Sequence, residues 1–221
     1  MRVQYLLRLL TRARQRTTAH LPRQSDGRGQ GKHRRQYGVM FVFDIADFSS
    51  RPAYVQEQLR DVLYDIVEKA CNHAGVRWRH CFREDRGDGM FILDAHEPDS
   101  AVVINQLAVR IADALHRHNL AARAAARMQL RMAVHVGYFR PDPHGITSPD
   151  LIHTFRLLNA EAFKKHLAAS GADLALIVSD YLYGTAASYN QIDPGDYRPI
   201  SVMIKDEEHR AWIRRNICTA S

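Results

Sequence analysis

The stretch Arg83-Glu84-Asp85-Arg86-Gly87-Asp88-Gly89-Met90-Phe91-Ile92-Leu93 constrains the fold more than any other. A run of charges gives way at Gly-Asp-Gly to an unbroken apolar run, the pattern of two strands joined by a tight turn with an acid at its tip. Taken alone, Asp88 fits an ordinary hairpin turn, where Asp between glycines is favoured by the backbone. A second acid in a matching setting gives it chemical meaning. Val39-Met40-Phe41-Val42-Phe43 is an apolar run that ends on Asp44, and a buried strand carrying a carboxylate needs a partner for that charge. Two such acids on neighbouring strands would hold a divalent cation.

With 221 residues and 46% hydrophobic content, the chain is long enough for one sizeable core and short for two domains. The net charge of +7 suggests a nucleic-acid or membrane partner, but it is unevenly placed. Residues 1–36 carry ten Lys or Arg against one Asp, and the remainder carries 21 basic against 23 acidic residues. Residues 37–221 are therefore read as one domain that is no basic nucleic-acid binder. The leader, polar and Gly-rich after a short amphipathic start, reads as a disordered segment, or alternatively as a tether to membrane or nucleic acid. Three cysteines, Cys71, Cys81 and Cys218, in no CxxC pairing argue against a disulfide framework or a zinc knuckle and fit a reducing cytoplasm. No apolar run approaches the ~20 residues needed to span a bilayer, and no cleavage site marks a signal peptide.

Periodicity then orders the elements. Tyr37–Asp44 is apolar enough for a central strand, and Ala53–Ala70 has Val55, Leu59, Val62, Leu63, Ile66 and Val67 at helical spacing. Val76–Glu84 and Gly89–Leu93 form the hairpin, Ala101–His118 a second amphipathic helix, and Met128–Val136 a strand that Gly137 ends. The order strand, helix, strand, strand, helix, strand predicts an α+β fold with a ferredoxin-like βαββαβ core. Beyond a loop over residues 144–150, the pattern predicts a third helix over Leu151–Leu167 and a buried strand over Leu174–Ser179. Ser179 is placed to cap a short helix through Tyr183. A final hairpin, Ser201–Lys205 with Arg210–Ile213, adds C-terminal strands.

The chain resembles the class III nucleotidyl cyclases, the family of adenylate and guanylate cyclases. The likeness lies in Asp44-Ile45-Ala46-Asp47-Phe48-Ser49, Gly87-Asp88 and His135-Val136-Gly137, in the family's order and at comparable separations, and covers about residues 37–213. Around Arg83–Leu93 and Phe155-Arg156-Leu157-Leu158 it is most similar to the uridylate cyclases of Pycsar antiphage systems. The resemblance implies conversion of a nucleoside triphosphate to its 3′,5′-cyclic monophosphate and pyrophosphate. It also implies a second messenger for antiphage defence, read by a cyclic nucleotide receptor on a separate chain.

What the resemblance implies for single residues follows. Asp44, Asp88 and the Ile45 carbonyl would hold two divalent cations, Mn or Mg, as hard oxygen ligands suit. Arg156 and Lys205 would hold the triphosphate. Glu84, four residues before Asp88, stands where the family reads the base; a carboxylate accepts N–H groups, which fits uracil or guanine. Phe48 either stacks on a single-ring base or packs in the core. Thr147 and His153 are further candidate substrate contacts. The family's ribose-orienting Asn is replaced by Ile152, so His153 or Thr154 would have to serve, and a merely nucleotide-binding protein stays open as a second reading. Sites shared across a head-to-tail homodimer complete the expectation.

Overall fold

The computed structural model describes residues 35–96, 99–204, 206–215 and 217. Lys205, Cys218 and all but the last two residues of the basic leader lie outside the described residues. The strand β1 (Gln36–Ile45) is the middle of the fold, paired antiparallel with β3 (Gly89–Asp94) on one side and β4 (Leu130–Asp142) on the other. The sheet order is β2-β3-β1-β4-β6-β8-β7, with β5 (Gly145–Thr147) pairing β4 off this path. Here β2 is Phe82–Asp85, β6 is Leu174–Ser179, β7 is Tyr197–Ile204 and β8 is Glu207–Arg214. The first four strands in the order β2-β3-β1-β4 are the expected ferredoxin-like core, and β6 adds to it in parallel with β4.

Strand residues alternate between two apolar layers, as a period of two requires. Val39, Phe41, Phe43 and Ile45 join the core under α1 (Ala53–His73), α2 (Ala108–Ala121) and α5 (Asp180–Ser188). Met40, Val42, Ala133 and Ile177 join the core under α3 (Pro149–Asn159) and α4 (Glu161–Ser170). No helix among the described residues is long and apolar enough to cross a membrane. Cys71 and Cys81 are buried and free.

Several boundaries differ from the sequence reading. The second helix enters through Ser100–Val102 and a π-helical turn, Val103–Leu107, before α2. The loosened carbonyls are met: Arg214 Nη1 donates to the Ile104 carbonyl at 2.7 Å. Val76–His80 is not strand, because Trp78–His80 makes a 3₁₀ turn over which the Arg83 guanidinium stacks, 4.4 Å from the Trp78 ring. Gly137 does not end β4. The strand runs on to Asp142, and Gly137 is there because a Cβ would sit 2.3 Å from Asp150 Oδ2. The loop at 144–150 instead holds β5, and Ser148 caps α3 by accepting the Leu151 N–H at 2.9 Å.

The expected helix Leu151–Leu167 is two helices. Ala160 is extended, and its carbonyl starts α4 by accepting from Phe163 and Lys164, both at 3.0 Å. The change of direction lets Leu157 and Leu158 on α3 and Phe163 and Leu167 on α4 enter one core. Ser179 does cap a helix, accepting the Leu182 N–H at 3.2 Å, and that helix runs to Ser188.

Candidate active site

Asp44 is the last but one residue of β1, opposite Gly89 on β3 and Arg131 on β4. Parity puts it on the α3/α4 face, where an isolated carboxylate is costly. The cost is offset by Arg131, its cross-strand neighbour, whose guanidinium donates to Asp44 Oδ2. Both side chains are largely buried, 12% and 15% exposed. Burial nevertheless raises the Asp44 pKa, opposed by Arg131 and reinforced by the charge of Asp88. Arg131 thus pairs with Asp44, and the charge of Asp88 is near enough for Asp44 to feel it.

The turn that carries Asp88 is tied to the end of β1, where the Ile45 N–H donates to the Asp88 carbonyl at 2.9 Å. In an antiparallel ladder a residue's N–H and C=O point to the same side, so the Ile45 carbonyl also faces this turn. Gly89 allows the approach, since a Cβ there would lie 1.9 Å from the Phe43 carbonyl oxygen. The Gly-Asp-Gly turn is therefore shaped by backbone contact with β1 and leaves Asp88 exposed at its tip.

These donors fit a hard divalent ion. Two carboxylates and a carbonyl stand at adjoining ends of β1 and the β2–β3 turn. Among the described residues no group of three or more His, Cys, Asp or Glu side chains forms a metal cage. A cation here would take its remaining ligands from water and phosphate, as Mg commonly does.

Basic side chains surround the acids. A cleft beside β1 is lined by Asp47, Gln129, Arg131, Lys164 and Lys165. Lys164, on α4, is close enough to lower the Asp44 pKa. Arg156 lies half-buried in the last turn of α3 and has no carboxylate partner among the described residues. Glu84 shares its face of β2 with Phe82, toward α3, and pairs with Arg86 at 3.3 Å. The Arg86 guanidinium lies 4.8 Å over the Phe155 ring, so the position expected to read a base holds a Glu-Arg pair against an aromatic face.

Other expected residues are placed elsewhere. Phe48 is half-buried and packs against the core on the α1 side, the opposite face from Glu84. The Thr147 hydroxyl donates to Asp142 Oδ2 at 2.6 Å in the β4–β5 hairpin, opposite Arg140. That is the far end of β4 from Arg131, about 30 Å away at ~3.3 Å per residue. Thr154 is fully buried and donates to the Asp150 carbonyl at 2.8 Å, so it reaches no sugar. His153 turns inward, its ring 5.1 Å from His135 and 6.1 Å from His209. Ile152, 51% exposed, presents an apolar surface where a ribose contact was expected.

His135 occupies the opposite end of the same face. Its Nδ1 is 2.7 Å from Ser179 Oγ, and its Nε2 is 3.6 Å from Asp150 Oδ1. Burial, with the neighbouring His153, lowers its pKa to about 4, so it is neutral at physiological pH.

Sequence reasoning missed Arg131, Lys164 and Arg86. A signal for Arg131 was present: it interrupts an apolar strand as Asp44 ends one, and each buried charge needs the other.

The sequence matches no family model and no curated protein. Solved structures share the fold. An adenylate/guanylate cyclase/hydrolase from Silicibacter pomeroyi is 16% identical, with TM-score 0.60, covering 83% of this chain and 98% of that one. The adenylyl cyclase CyaB from P. aeruginosa is 13% identical, with TM-score 0.57 and coverage of 82% and 95%. A dimeric guanylyl cyclase domain of the RhoGC fusion protein from the fungus Blastocladiella emersonii is 12% identical, with TM-score 0.52 and coverage of 82% and 97%. The fold is that of the class III cyclases.

Proposed function

We propose that this protein is a nucleotidyl cyclase that converts a nucleoside triphosphate, UTP in the first instance, to its 3′,5′-cyclic monophosphate and pyrophosphate. The observation that carries the reading is the convergence of Asp44, Asp88 and Arg131 at adjoining strand ends, on a fold shared with adenylate and guanylate cyclases. The reaction is an in-line attack of the ribose 3′ oxygen on the α-phosphorus. Two divalent ions, Mn or Mg, held by Asp44, Asp88 and the Ile45 carbonyl supply charge against the triphosphate and acidify the attacking hydroxyl when bound.

The chain's own residues do the positioning. Arg131 and Lys164 stand beside the acids and face the polyphosphate, which disperses the charge of the departing pyrophosphate. Arg156, without a carboxylate of its own, approaches the phosphates from the second copy in a homodimer, and Lys205 has the same role. Glu84 and Arg86 together offer an acceptor and donors to the Watson–Crick edge. Uracil, with N3–H between two carbonyls, matches that pair, and so does guanine. The antiphage role, with a receptor on a separate chain, rests on the resemblance around Arg83–Leu93.

The test is product formation from each of ATP, GTP, CTP and UTP with Mn, separated by chromatography, with Asp44→Asn as the blank. Cyclic UMP that falls on the order of a thousand-fold in the variant is expected. Cyclic GMP as main product would move Glu84 to guanine reading and remove the antiphage inference. No cyclic product from any of the four would leave the second reading, a cyclase fold that binds a nucleotide without turnover, which the exposed Ile152 favours.

A further inference from the structure

An acid on an exposed turn is a poor ligand unless something holds the turn. The tie to β1 fixes only one side of it. The other side is held by α1. Arg60 Nη1 donates to Asp85 Oδ1 at 3.0 Å and also to the Gly87 carbonyl, while Nη2 donates to Asp85 Oδ2. Asp85 Oδ1 in turn accepts the Gly87 N–H at 2.8 Å, and the Arg86 N–H donates to the Gly89 carbonyl at 3.0 Å. Gly87, the residue before Asp88, is in the left-handed region with φ +86° and is gripped at both its amide and its carbonyl.

We propose that Arg60 is a positioning residue, which locks the turn 85–89 so that Asp88 is presented beside Asp44. Three points separate this from an ordinary surface ion pair. The guanidinium grips both oxygens of a carboxylate through two nitrogens and reaches a backbone carbonyl as well, a planar fork that a single ammonium does not reproduce. The backbone acceptor belongs to the residue next to the proposed ligand. Asp85 points to the α1 side of β2 while Glu84 points to the α3 side, so one four-residue strand is read on both faces. Burial pushes the Asp85 carboxyl up, but the Arg60 and Gly87 hydrogen bonds outweigh it and hold the pKa below its usual value. The helix that follows Asp44 in sequence thereby fixes the second acid, and α1 connects the two halves of the site.

The inference rests on the proposed metal role of Asp88, and its test separates the two. Mn binding to the full chain without nucleotide is measured by electron paramagnetic resonance for Arg60→Met, Asp85→Asn, the double variant and Arg60→Lys. Hydrogen exchange at residues 85–89 and thermal melting are followed in parallel. Lys69→Met, which breaks the neighbouring Lys69–Asp65 pair on the same helix, is the control. The expected result is Mn affinity about tenfold weaker in both single variants, as losing a ligand's supporting partner commonly gives. The double variant should be no weaker than the poorer single, Arg60→Lys should not recover the affinity, and Lys69→Met should match wild type. Faster exchange at 85–89 with a nearly unchanged melting point should accompany the loss. Unchanged affinity and unchanged exchange in Arg60→Met and Asp85→Asn would overturn the proposal. If wild type itself binds no Mn, the metal reading of Asp88 fails, and exchange at 85–89 alone decides whether Arg60 orders the turn.

Discussion

The same strands build the two faces of the sheet in opposite ways. Toward α1, α2 and α5, the central positions Val39, Phe41, Phe43, Met90, Ile92, Met132 and Val134 are apolar and buried. Toward α3 and α4, the alternate positions of these and the adjoining strands hold Glu84, Asp44, Arg131, His135 and Ser179 among Met40, Val42 and Ala133. Hydrophobic burial on the first face is non-directional and roughly additive. On the second face the polar groups depend on particular partners. The pairing teaches where a fold of this size can hold chemistry: behind a dry layer, on the face whose charges are matched across strands.

Breaking one group on each face sharpens that contrast. Arg131→Met leaves Asp44 largely buried without its cation, and should cost about 3–5 kcal/mol of stability in urea titration together with the loss of product formation. Leu59→Ala, fully buried under α1, should cost about 2–5 kcal/mol by the cavity it leaves, while the folded fraction keeps its turnover. If Leu59→Ala altered turnover as strongly as stability, the division between the faces would fail.

Acid probes the same division. The folded-state pKa of His135, about 4, lies below its ordinary value near 6.5, so the unfolded chain binds the extra proton first. This contribution to stability is complete above about pH 6.5 and is lost as pH falls toward 4, on the order of 3 kcal/mol in all. Melting points measured across that range should show a shallower fall in His135→Gln, and equal slopes would mean that His135 does not carry the effect. The smallest expected change is a gain. Ile152→Asn offers the amide that the exposed apolar side chain lacks, and should raise turnover by roughly tenfold, about the value of one hydrogen bond made in the transition state.

How much of this was legible follows from the local physics. Leu174–Ser179 was read with its observed boundaries, and Tyr37–Asp44 to within a residue at each end, because unbroken apolar runs between polar segments admit few alternatives. The break at Ala160 left no trace, since Ala is a strong helix former and neither Pro nor Gly marks the bend. Gly137 misled in the other direction: a glycine that reads as a strand end serves there as clearance for Asp150. At the candidate site, the settings of both acids were legible, Asp88 at the tip of a turn and Asp44 at the end of a buried strand. Their cation was sought outside the chain when Arg131 was directly across the ladder. Arg60 carries no local signal, because it meets Asp85 only when α1 folds back over the hairpin.

The Asp44–Arg131 pair also bears on how the sheet assembles. Side chains alternate faces with a period of two, so sliding β1 against β4 by one residue would bring Arg131 opposite an apolar neighbour and exchange the rows that face the two helical layers. A two-residue slip would keep the row but strand both charges in the core. Only one alignment of the β1–β4 ladder, the longest among the described residues, satisfies its apolar and its ionic partners together. The Asp44–Arg131 pair thus adds an ionic condition to the register that the apolar rows set.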